Sequence, residues 1–148
     1  MDPIDLGGKM IGPGHPCFVI AEAGVNHNGD VEAAEQLVMA AAEAGADAVK
    51  FQIVDPDRLV PDKAQRFEYE ILLSNGQREK RSEPLYDILR RRSMTPSEWR
   101  ELKAFCDDLG LLFFSTATFE DEVDFLVALG VPTVKICSGD IDHLPLIR

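Results

Sequence analysis

One pattern occurs three times along the chain: a helix-forming segment, a glycine, and then a short apolar run. The runs AGADAVKFQI, LGLLFFSTA and LGVPTVKICS each follow a helical segment and contain the glycine stops Gly45, Gly110 and Gly130. Glycine just past a helix is typical of a left-handed C-terminal cap. Helices that alternate with strands in this way form βαβ units, so the sequence predicts an α/β fold with a parallel sheet.

Four runs are predicted as strands: FVIAEAG, AVKFQI, LLFFST and TVKICS. They are continuously apolar rather than alternating, as expected for a parallel sheet that is covered on both faces. Two architectures fit four such strands. A doubly wound sheet suits the length of 148 residues, whereas a (β/α)8 barrel usually needs about 250 residues, so that four strands would be its first half.

Helices are predicted over residues 30–44, from Thr95 onward, and within TFEDEVDFLVALG. The second has Thr95 as N-cap, Pro96 at its first position and Glu98 closing a capping box, and Thr118 and Asp121 are predicted to cap the third. The residues expected to face the core are Val31, Ala34, Leu37, Val38 and Ala41 in the first helix, Trp99, Leu102, Cys106 and Leu109 in the second, and Val123, Leu126 and Leu129 in the third.

Residues 54–95 interrupt the repeat. SNGQREKRSEP is polar and predicted to be turn-like, and LYDILRRRSM is predicted as a short helix. Six of the fifteen Lys and Arg residues lie between Arg78 and Arg92. This is interpreted as a solvated insertion in preference to a basic patch for a partner. Insertions of this length are often functional lids.

The bulk composition restricts the class of protein. A formal net charge of −11 argues against nucleic acid and anionic membranes as partners. The cysteines Cys17, Cys106 and Cys137 lack the number and spacing of a disulfide or zinc framework, so three buried thiols in a reducing compartment are expected. No signal peptide or membrane span is seen, which makes the cytoplasm the expected location.

Polar residues stand at the ends of the predicted strands, where both architectures bind ligands. They are Glu22, Lys50, Gln52, Ser115, Thr116, Lys135, Ser138 and Asp140. A lysine in a buried strand is costly unless an anion compensates it. Either Glu22 and Asp140 form internal ion pairs with the two lysines, or the lysines bind an anionic ligand.

The anion site is favoured, because these charges and hydroxyls exceed what a core needs. Lys50 and Lys135 supply charge, Thr116 and Ser138 donate hydrogen bonds, and Gly139 lets the backbone approach. A phosphate or phosphate–carboxylate ligand fits this set. The absence of a Walker loop or GxGxxG disfavours a nucleotide. His27, in GVNHNGD, is interpreted as a loop-stabilising residue, and no complete metal site is visible.

The segments IGPGHPCFVIAE, IAEAGVNHNGD, AAEAGADAVKFQ, FFSTATFEDEVDFLVALGV and VKICSGDIDHLPLI occur in this order. Together they resemble the N-acetylneuraminate (sialic acid) synthase family over nearly the whole chain outside residues 54–95. The resemblance implies a TIM (β/α)8 barrel followed by a small antifreeze-like domain. Residues 1–148 would then be a partial barrel, truncated after its fourth strand, with an inserted region at about 54–95.

The resemblance also implies an activity: condensation of phosphoenolpyruvate with an N-acylmannosamine-type amino sugar to give a nine-carbon 2-keto acid and phosphate. Lys50, Thr116, Lys135 and Ser138 match phosphoenolpyruvate-binding positions, and Gln52 and Glu22 match positions near the sugar and the reacting centre. Glu22 and Asp140 are the expected catalytic carboxylates, and Asn75 is a further predicted substrate contact.

The implied mechanism begins when a divalent metal (Mn or Mg) polarises the sugar aldehyde as a Lewis acid. The methylene carbon of phosphoenolpyruvate attacks the aldehyde, water captures the cationic C2, and the tetrahedral intermediate loses phosphate. The metal ligands are expected outside this chain. For the full-length form the resemblance implies a homodimer.

Two departures from the family affect these expectations. Asp140 stands where the family commonly has the glutamate of an SGE motif, and its carboxylate sits about 1.5 Å short, where misplacements of about 1 Å matter. The chain also stops at Arg148. It is therefore expected to be inactive alone, with two alternatives left open: a non-catalytic half-barrel that self-associates or pairs with a separate C-terminal half, and a related phosphoenolpyruvate-condensing enzyme with a different sugar.

Overall fold

The computed structural model describes residues 2–148. Its strands are β1 (Ile4–Leu6), β2 (Lys9–Ile11), β3 (Ile20–Gly24), β4 (Ala48–Gln52), β5 (Arg66–Leu72), β6 (Arg78–Pro84), β7 (Leu112–Ala117) and β8 (Lys135–Ile136). Its helices are α1 (Val31–Glu43), α2 (Pro56–Leu59), α3 (Leu85–Arg90), α4 (Pro96–Asp108), α5 (Glu120–Ala128) and α6 (Leu144–Ile147), with a 3₁₀ turn at Ser138–Asp140.

The centre of the fold is a four-stranded parallel sheet in the order β3-β4-β7-β8. The long helices α1, α4 and α5 connect its successive strands, and the predicted α/β fold of parallel βα repeats is confirmed. Gly45, Gly110 and Gly130 have φ values of 75°, 66° and 78° and follow α1, α4 and α5. They are the predicted left-handed caps, which turn each helix back toward the next strand.

The two faces of the sheet differ in chemistry. Register partners share a face and successive residues alternate between faces. One face packs against the long helices and forms the core, which includes Ala23, Val38, Val49, Phe51, Trp99, Leu102, Phe113, Ala117 and Leu126. The other face includes Glu22, Lys50 and Phe114 in one register row and Gln52, Thr116 and Lys135 in the next.

The predicted helix starts are confirmed for α1 and α4 but not for α5. Thr95 and Glu98 form the expected capping box of α4. At α5 the N-cap residue is Phe119, which has no side-chain acceptor, and the Glu122 carboxylate accepts hydrogen bonds from the backbone N–H groups of Thr118 (2.8 Å) and Phe119 (3.2 Å). The prediction of Thr118 and Asp121 as caps is therefore wrong, because the longer Glu122 side chain reaches back and accepts from these two backbone N–H groups.

Leu109 is also not buried as predicted, since 44% of it is exposed. Helix α4 ends at Asp108, and the chain turns toward Gly110 before Leu109 can continue the buried stripe.

Of the three free cysteines, only Cys106 is fully buried, and burial raises the pKa of its thiol to about 12. Cys17 is exposed, which contradicts the expectation of three buried thiols.

The insertion at residues 54–95 contains α2, an antiparallel hairpin of β5 and β6, and α3. The predicted helix in LYDILRRRSM is confirmed as α3. The prediction that REKRSEP is turn-like is wrong, because Arg78–Pro84 pairs in continuous register with Arg66–Leu72. Opposite charges pair across this ribbon, for example the diagonal neighbours Glu70 and Arg78 at 3.3 Å, and such pairs stabilise a charged two-stranded sheet.

A second hairpin, β1 and β2, was not predicted, because its three-residue strands are too short to show periodicity. Its Lys9 ammonium lies 2.8 Å from the Asp47 carboxylate, which also accepts a hydrogen bond from the Val19 backbone N–H at 2.8 Å. This contact holds the hairpin at the end of the sheet where β4 begins. Within residues 2–148, no helix combines the length and the apolar character required to cross a lipid bilayer.

Candidate functional site

The polar face of the sheet brings together five residues that the sequence predicted for the site. Glu22 pairs in register with Lys50, and Gln52, Thr116 and Lys135 form the next row toward the carboxyl ends of β4 and β7. With about 4.8 Å between strands and 3.3 Å per residue, the Cα atoms of Lys50 and Lys135 are roughly 12 Å apart. Flexible stems allow both ammonium groups to approach one anion between them.

The two lysines have different surroundings. The Lys50 ammonium lies 2.6 Å from the Glu22 carboxylate, so the internal ion pair that the sequence left open exists at this strand. The Lys135 ammonium has no ion-pair or hydrogen-bond partner among residues 2–148, and Asp140 does not reach it. One cation on this face is therefore compensated within the protein, and the other is available to a ligand.

The hydroxyl groups predicted to donate to a phosphate differ in burial. Thr116 is 2% exposed, and no side-chain hydrogen bond to its hydroxyl is formed by any residue that the structure describes. Ser138 and Gly139 are exposed in the 3₁₀ turn that follows β8, and nothing lies within 4 Å of where a Gly139 side chain would begin. The open space at Gly139 thus lies in the turn that directly follows β8, the strand of Lys135.

Asp140 closes the 3₁₀ turn, with its backbone N–H donating to the Cys137 carbonyl at 3.0 Å. Its side chain is half-buried, and no residue of the described chain forms an ion pair with it. The turn places Asp140 five residues after Lys135, at the carboxyl end of the sheet. Asp140 therefore lies at the position that the sequence predicted for a catalytic carboxylate, and its role stays a prediction.

Asn75 lies outside this group, at the tip of the β5–β6 hairpin. Its carboxamide oxygen accepts a hydrogen bond from the Gln77 backbone N–H at 3.0 Å, and its nitrogen donates to the Gln77 side chain at 3.1 Å. These contacts stabilise the hairpin turn. The substrate contact predicted for Asn75 stays a prediction, with no support from its local geometry.

His27 has the loop-stabilising role that the sequence predicted. Its Nδ1 atom accepts a hydrogen bond from the Gly29 backbone N–H at 3.1 Å, and its ring packs edge-on against Phe51 and Trp99. Burial lowers the pKa of His27, an effect that the nearby Asp30 charge opposes. Among residues 2–148 no three His, Cys, Asp or Glu side chains gather as metal ligands, so the implied metal finds no ligand set in the described chain.

A cluster around Arg58 was not predicted. Arg58, in α2 just after β4, contacts the Asp55 carboxylate and forms a two-pronged pair with Asp121 at the start of α5. The contact between Arg58 and Asp121 spans 63 positions in the sequence, and neither residue carries a motif that would have shown it. It joins the loops that follow β4 and β7, the two strands that carry Lys50, Gln52 and Thr116.

Comparison with known proteins places this geometry in a family. An N,N'-diacetyllegionaminic acid synthase of Legionella pneumophila is 41% identical over 140 residues, which are 95% of this chain and 38% of that protein. Human N-acetylneuraminate-9-phosphate synthase is 33% identical over 141 residues, again 95% of this chain and 38% of the relative. The chain thus spans well under half the length of these relatives.

The fold agrees with the same family. The crystal structure of an N-acetylneuraminic acid (sialic acid) synthetase from Leptospira borgpetersenii, in complex with citrate, superposes with a TM-score of 0.79 at 28% identity. The match covers 99% of this chain and 45% of that one. The four parallel strands with their helices therefore correspond to the first half of a TIM barrel, which decides against a doubly wound sheet. The NeuB family model matches residues 37–148, and the chain belongs to the NeuB family.

Proposed function

We propose that this chain provides the phosphoenolpyruvate site of a synthase that condenses phosphoenolpyruvate with an N-acylmannosamine-type sugar. The observation that carries the proposal is the polar face of the sheet. Lys50, Gln52, Thr116 and Lys135 share that face, whereas the opposite face is an apolar core packed against helices. A row of half-buried cations beside a buried hydroxyl, at the carboxyl ends of barrel strands, is suited to an anionic substrate.

Each side chain has a proposed role. Lys135 and Lys50 attract the phosphate and carboxylate of phosphoenolpyruvate, and the hydroxyls of Thr116 and Ser138 donate hydrogen bonds to it. Gln52 and Glu22 orient the sugar. Asp140 lies near C2 of phosphoenolpyruvate, where a carboxylate stabilises positive charge.

The reaction proceeds by carbon–carbon bond formation followed by loss of phosphate. The methylene carbon of phosphoenolpyruvate attacks the sugar aldehyde, whose oxygen takes up a proton, and C2 becomes cationic. Water adds to C2 and gives up a proton, which Asp140 or Glu22 accepts. The C2–O bond to phosphate then breaks, the C2 hydroxyl passes its proton to the departing phosphate, and C2 is left as a ketone. The roles above belong to this chain's own side chains, and the divalent metal (Mn or Mg) that would polarise the aldehyde is proposed to be held by residues outside residues 2–148, within which no three potential ligands gather.

The binding half of this proposal is testable on the purified chain by titration calorimetry with phosphoenolpyruvate. We expect saturable binding that Lys135→Met weakens at least about tenfold, since the variant loses the one lysine of the polar face that has no ion-pair partner among residues 2–148. Lys103→Met is the matched control, because Lys103 pairs with Asp107 on the outer helix α4. Absence of binding by the unchanged chain, or equal binding by both variants, contradicts the proposal.

The catalytic half concerns a longer protein that also contains the rest of the barrel. We propose that the purified chain alone does not release phosphate from phosphoenolpyruvate, and that the complete enzyme acts as a homodimer in the cytoplasm. Sustained, metal-dependent phosphate release by the chain alone would show that the proposed inactivity of the isolated chain is wrong. Asp140→Asn in the complete enzyme should lower kcat about a hundredfold while the affinity for phosphoenolpyruvate stays the same.

The identity of the sugar is proposed only as a class. The relatives named above make legionaminic and sialic acid products, so a related amino sugar is an alternative substrate. Product analysis by mass spectrometry, with the candidate sugars in competition, identifies it. A product from a sugar without an N-acyl group would contradict the proposed class.

A second candidate function is a half-barrel that binds another copy or a separate C-terminal half. The observation in its favour is that β3 and β8 are open edges of the sheet, with Ile20 45% exposed on β3 and Ile141 72% exposed after β8. Open strand edges and exposed apolar side chains favour association. Light scattering after gel filtration tests it: a dimer supports the candidate, and a folded monomer over a wide concentration range contradicts it.

A further inference from the structure

The Arg58 side chain is held from three directions at the carboxyl end of the sheet. Its Nε atom lies 2.7 Å from the Asp55 carboxylate within its own loop. Its two terminal nitrogens lie 2.7 and 3.2 Å from the two oxygens of Asp121. The guanidinium carbon Cζ lies over the Phe119 ring, 3.8 Å from its centre. Only arginine combines a two-pronged ion pair with stacking on an aromatic ring.

Glu122 extends this contact into the backbone that follows β7. Its carboxylate is buried, one oxygen accepts both the Thr118 and the Phe119 backbone N–H groups, and the other lies 3.6 Å from Arg58. Burial raises the pKa of Glu122, which the two backbone donors and the Arg58 charge oppose. Arg58 therefore helps to hold in place the carboxylate that accepts from the Thr118 backbone N–H, two residues after Thr116.

A second contact joins the loop after β4 to β7 itself. The Ile53 backbone N–H, directly after β4, donates to the Ser115 hydroxyl at 3.0 Å. Ser115 is on the apolar face, and its neighbour Thr116 faces the proposed ligand. The end of β7 is thus fixed to the end of β4 on both sides of Thr116, by Ser115 before it and by the Arg58–Asp121 pair after it.

We propose that Arg58 is a positioning residue for the anion site: its contacts with Asp121, Phe119 and Glu122 hold the end of β7 so that Thr116 meets the phosphate of phosphoenolpyruvate. This inference rests on the proposed function of the polar face. Arg58 acts through the backbone between Thr116 and Glu122 rather than by touching the ligand. A displacement of about 1 Å at such a site is enough to cost a large factor in activity.

The experiment must distinguish a positioning role of Arg58 from an effect of its positive charge alone. Removing Arg58 also removes a positive charge near an anionic ligand, so Arg58→Met alone cannot distinguish the two effects. Asp121→Asn can, because it breaks the same contact while removing a negative charge. If Arg58 positions Thr116, both variants weaken phosphoenolpyruvate binding by about tenfold or more, and the double variant is no weaker than Arg58→Met. If Arg58 acts only by its charge, Asp121→Asn tightens binding.

Lys63→Met is the matched control for lost charge. Lys63 lies in the same insertion and pairs with Asp57 at 2.6 Å, without contact to the α5 loop. The Lys63→Met variant should bind phosphoenolpyruvate with an affinity within about twofold of that of the unchanged chain. A conservative Arg58→Lys variant keeps the charge but cannot form the two-pronged pair, so it should bind as weakly as Arg58→Met.

Amide hydrogen exchange of the purified chain gives a readout that needs no ligand. Arg58→Met and Asp121→Asn should both speed exchange at Thr118 and Phe119, whose N–H groups Glu122 accepts, whereas Lys63→Met should not. Faster exchange together with weaker binding supports the inference. Unchanged binding in Arg58→Met, or tighter binding in Asp121→Asn, overturns it and leaves the proposed function intact. Absence of phosphoenolpyruvate binding in the unchanged chain overturns the proposed function and the positioning role with it, even if the exchange result shows that the contact exists.

Discussion

The Lys50 ammonium lies 2.6 Å from the Glu22 carboxylate, its register partner on the neighbouring strand. The Lys50 side chain is 14% exposed, whereas that of Glu22 is 59% exposed. The lysine is therefore held within the sheet face, and the glutamate covers it from the open side. An anionic ligand that uses Lys50 has to compete with this carboxylate.

Replacing Glu22 by glutamine should increase the affinity for inorganic phosphate and for phosphoenolpyruvate, although Glu22 belongs to the proposed site. The expected gain is about two- to fivefold, the equivalent of the 0.5–1 kcal/mol of a partly exposed ion pair. Titration calorimetry on the purified chain measures it. Glu43→Gln, which removes an equal charge from the exposed end of α1, is the control. Equal gains in both variants would mean that net charge, not competition for Lys50, determines the affinity.

His27 should make the protein less stable in mild acid. Its ring has no exposed surface, and its Nε2 atom has no hydrogen-bond partner among residues 2–148. Since burial lowers its pKa in the folded state, the unfolded chain takes up a proton first as the pH falls below about 6.5. The free energy of unfolding should then fall by up to about 1.4 kcal/mol per pH unit until the folded imidazole is protonated as well.

Urea unfolding at pH 7, 6 and 5 tests this dependence. His27→Phe should remove the His27 contribution to the slope, whereas His143→Gln, at a partly exposed position near Glu120, should retain it. A wild-type slope that His27→Phe leaves unaltered would show that other groups cause the acid sensitivity.

Gly29 should tolerate no side chain. Its φ is 78°, and a Cβ atom there would lie 2.4 Å from the Arg91 carbonyl oxygen at the end of the insertion. Gly29→Ala therefore combines backbone strain with a clash against backbone, and we expect a loss of about 3 kcal/mol in the free energy of unfolding.

Gly76→Ala is the matched control for Gly29→Ala. Gly76 has a φ of 79° but open space around it, so only the strain of about 1 kcal/mol is expected. Chemical denaturation of both variants gives the difference. A cost for Gly29→Ala no greater than that for Gly76→Ala would contradict the close packing of the loop after β3 against the insertion.

Asp47 should control the attachment of the β1–β2 hairpin. Hydrogen bonds from Lys9 and from the Val19 backbone lower the pKa of Asp47. The stability that this carboxylate contributes is therefore present above its unfolded pKa and is lost as the pH falls through its folded pKa. Asp47→Asn should speed amide exchange at Val19. Asp5→Asn is the control and should leave exchange at Val19 unchanged. The Asp5 carboxylate accepts from the Gly8 backbone N–H within the hairpin turn. Slow exchange at Val19 in Asp47→Asn would show that the carboxylate is dispensable.

Features that depend on local sequence pattern could be predicted from the sequence. The apolar runs of β4 and β7, the left-handed glycine at 110 and the Thr95–Glu98 capping box each follow from a few neighbouring residues. Period-two alternation along a strand then placed Lys50 and Gln52 on one face, as observed. The row that joins Gln52 to Thr116 and Lys135 needed the register between strands, which depends on contacts distant in sequence.

Features that depend on tertiary contacts could not be predicted from the sequence. Arg58 and Asp121 meet only because β4 and β7 are neighbours in the sheet. Glu122 serves as cap because the Phe119 side chain offers no acceptor. The strand Arg78–Pro84 has almost no apolar residues, so cross-strand charge pairs, rather than burial, define it.

The β5–β6 hairpin joins the rest of the chain through two closely spaced ends. Arg66 and Pro84 are register partners at the base of the β5–β6 hairpin, which places their Cα atoms about 5 Å apart. A short turn can bridge that distance, so the hairpin can be shortened, lengthened or exchanged without moving β4 or α4. Proteins built on this frame can therefore differ in this one arm while the sheet that carries Lys50 and Thr116 stays unchanged.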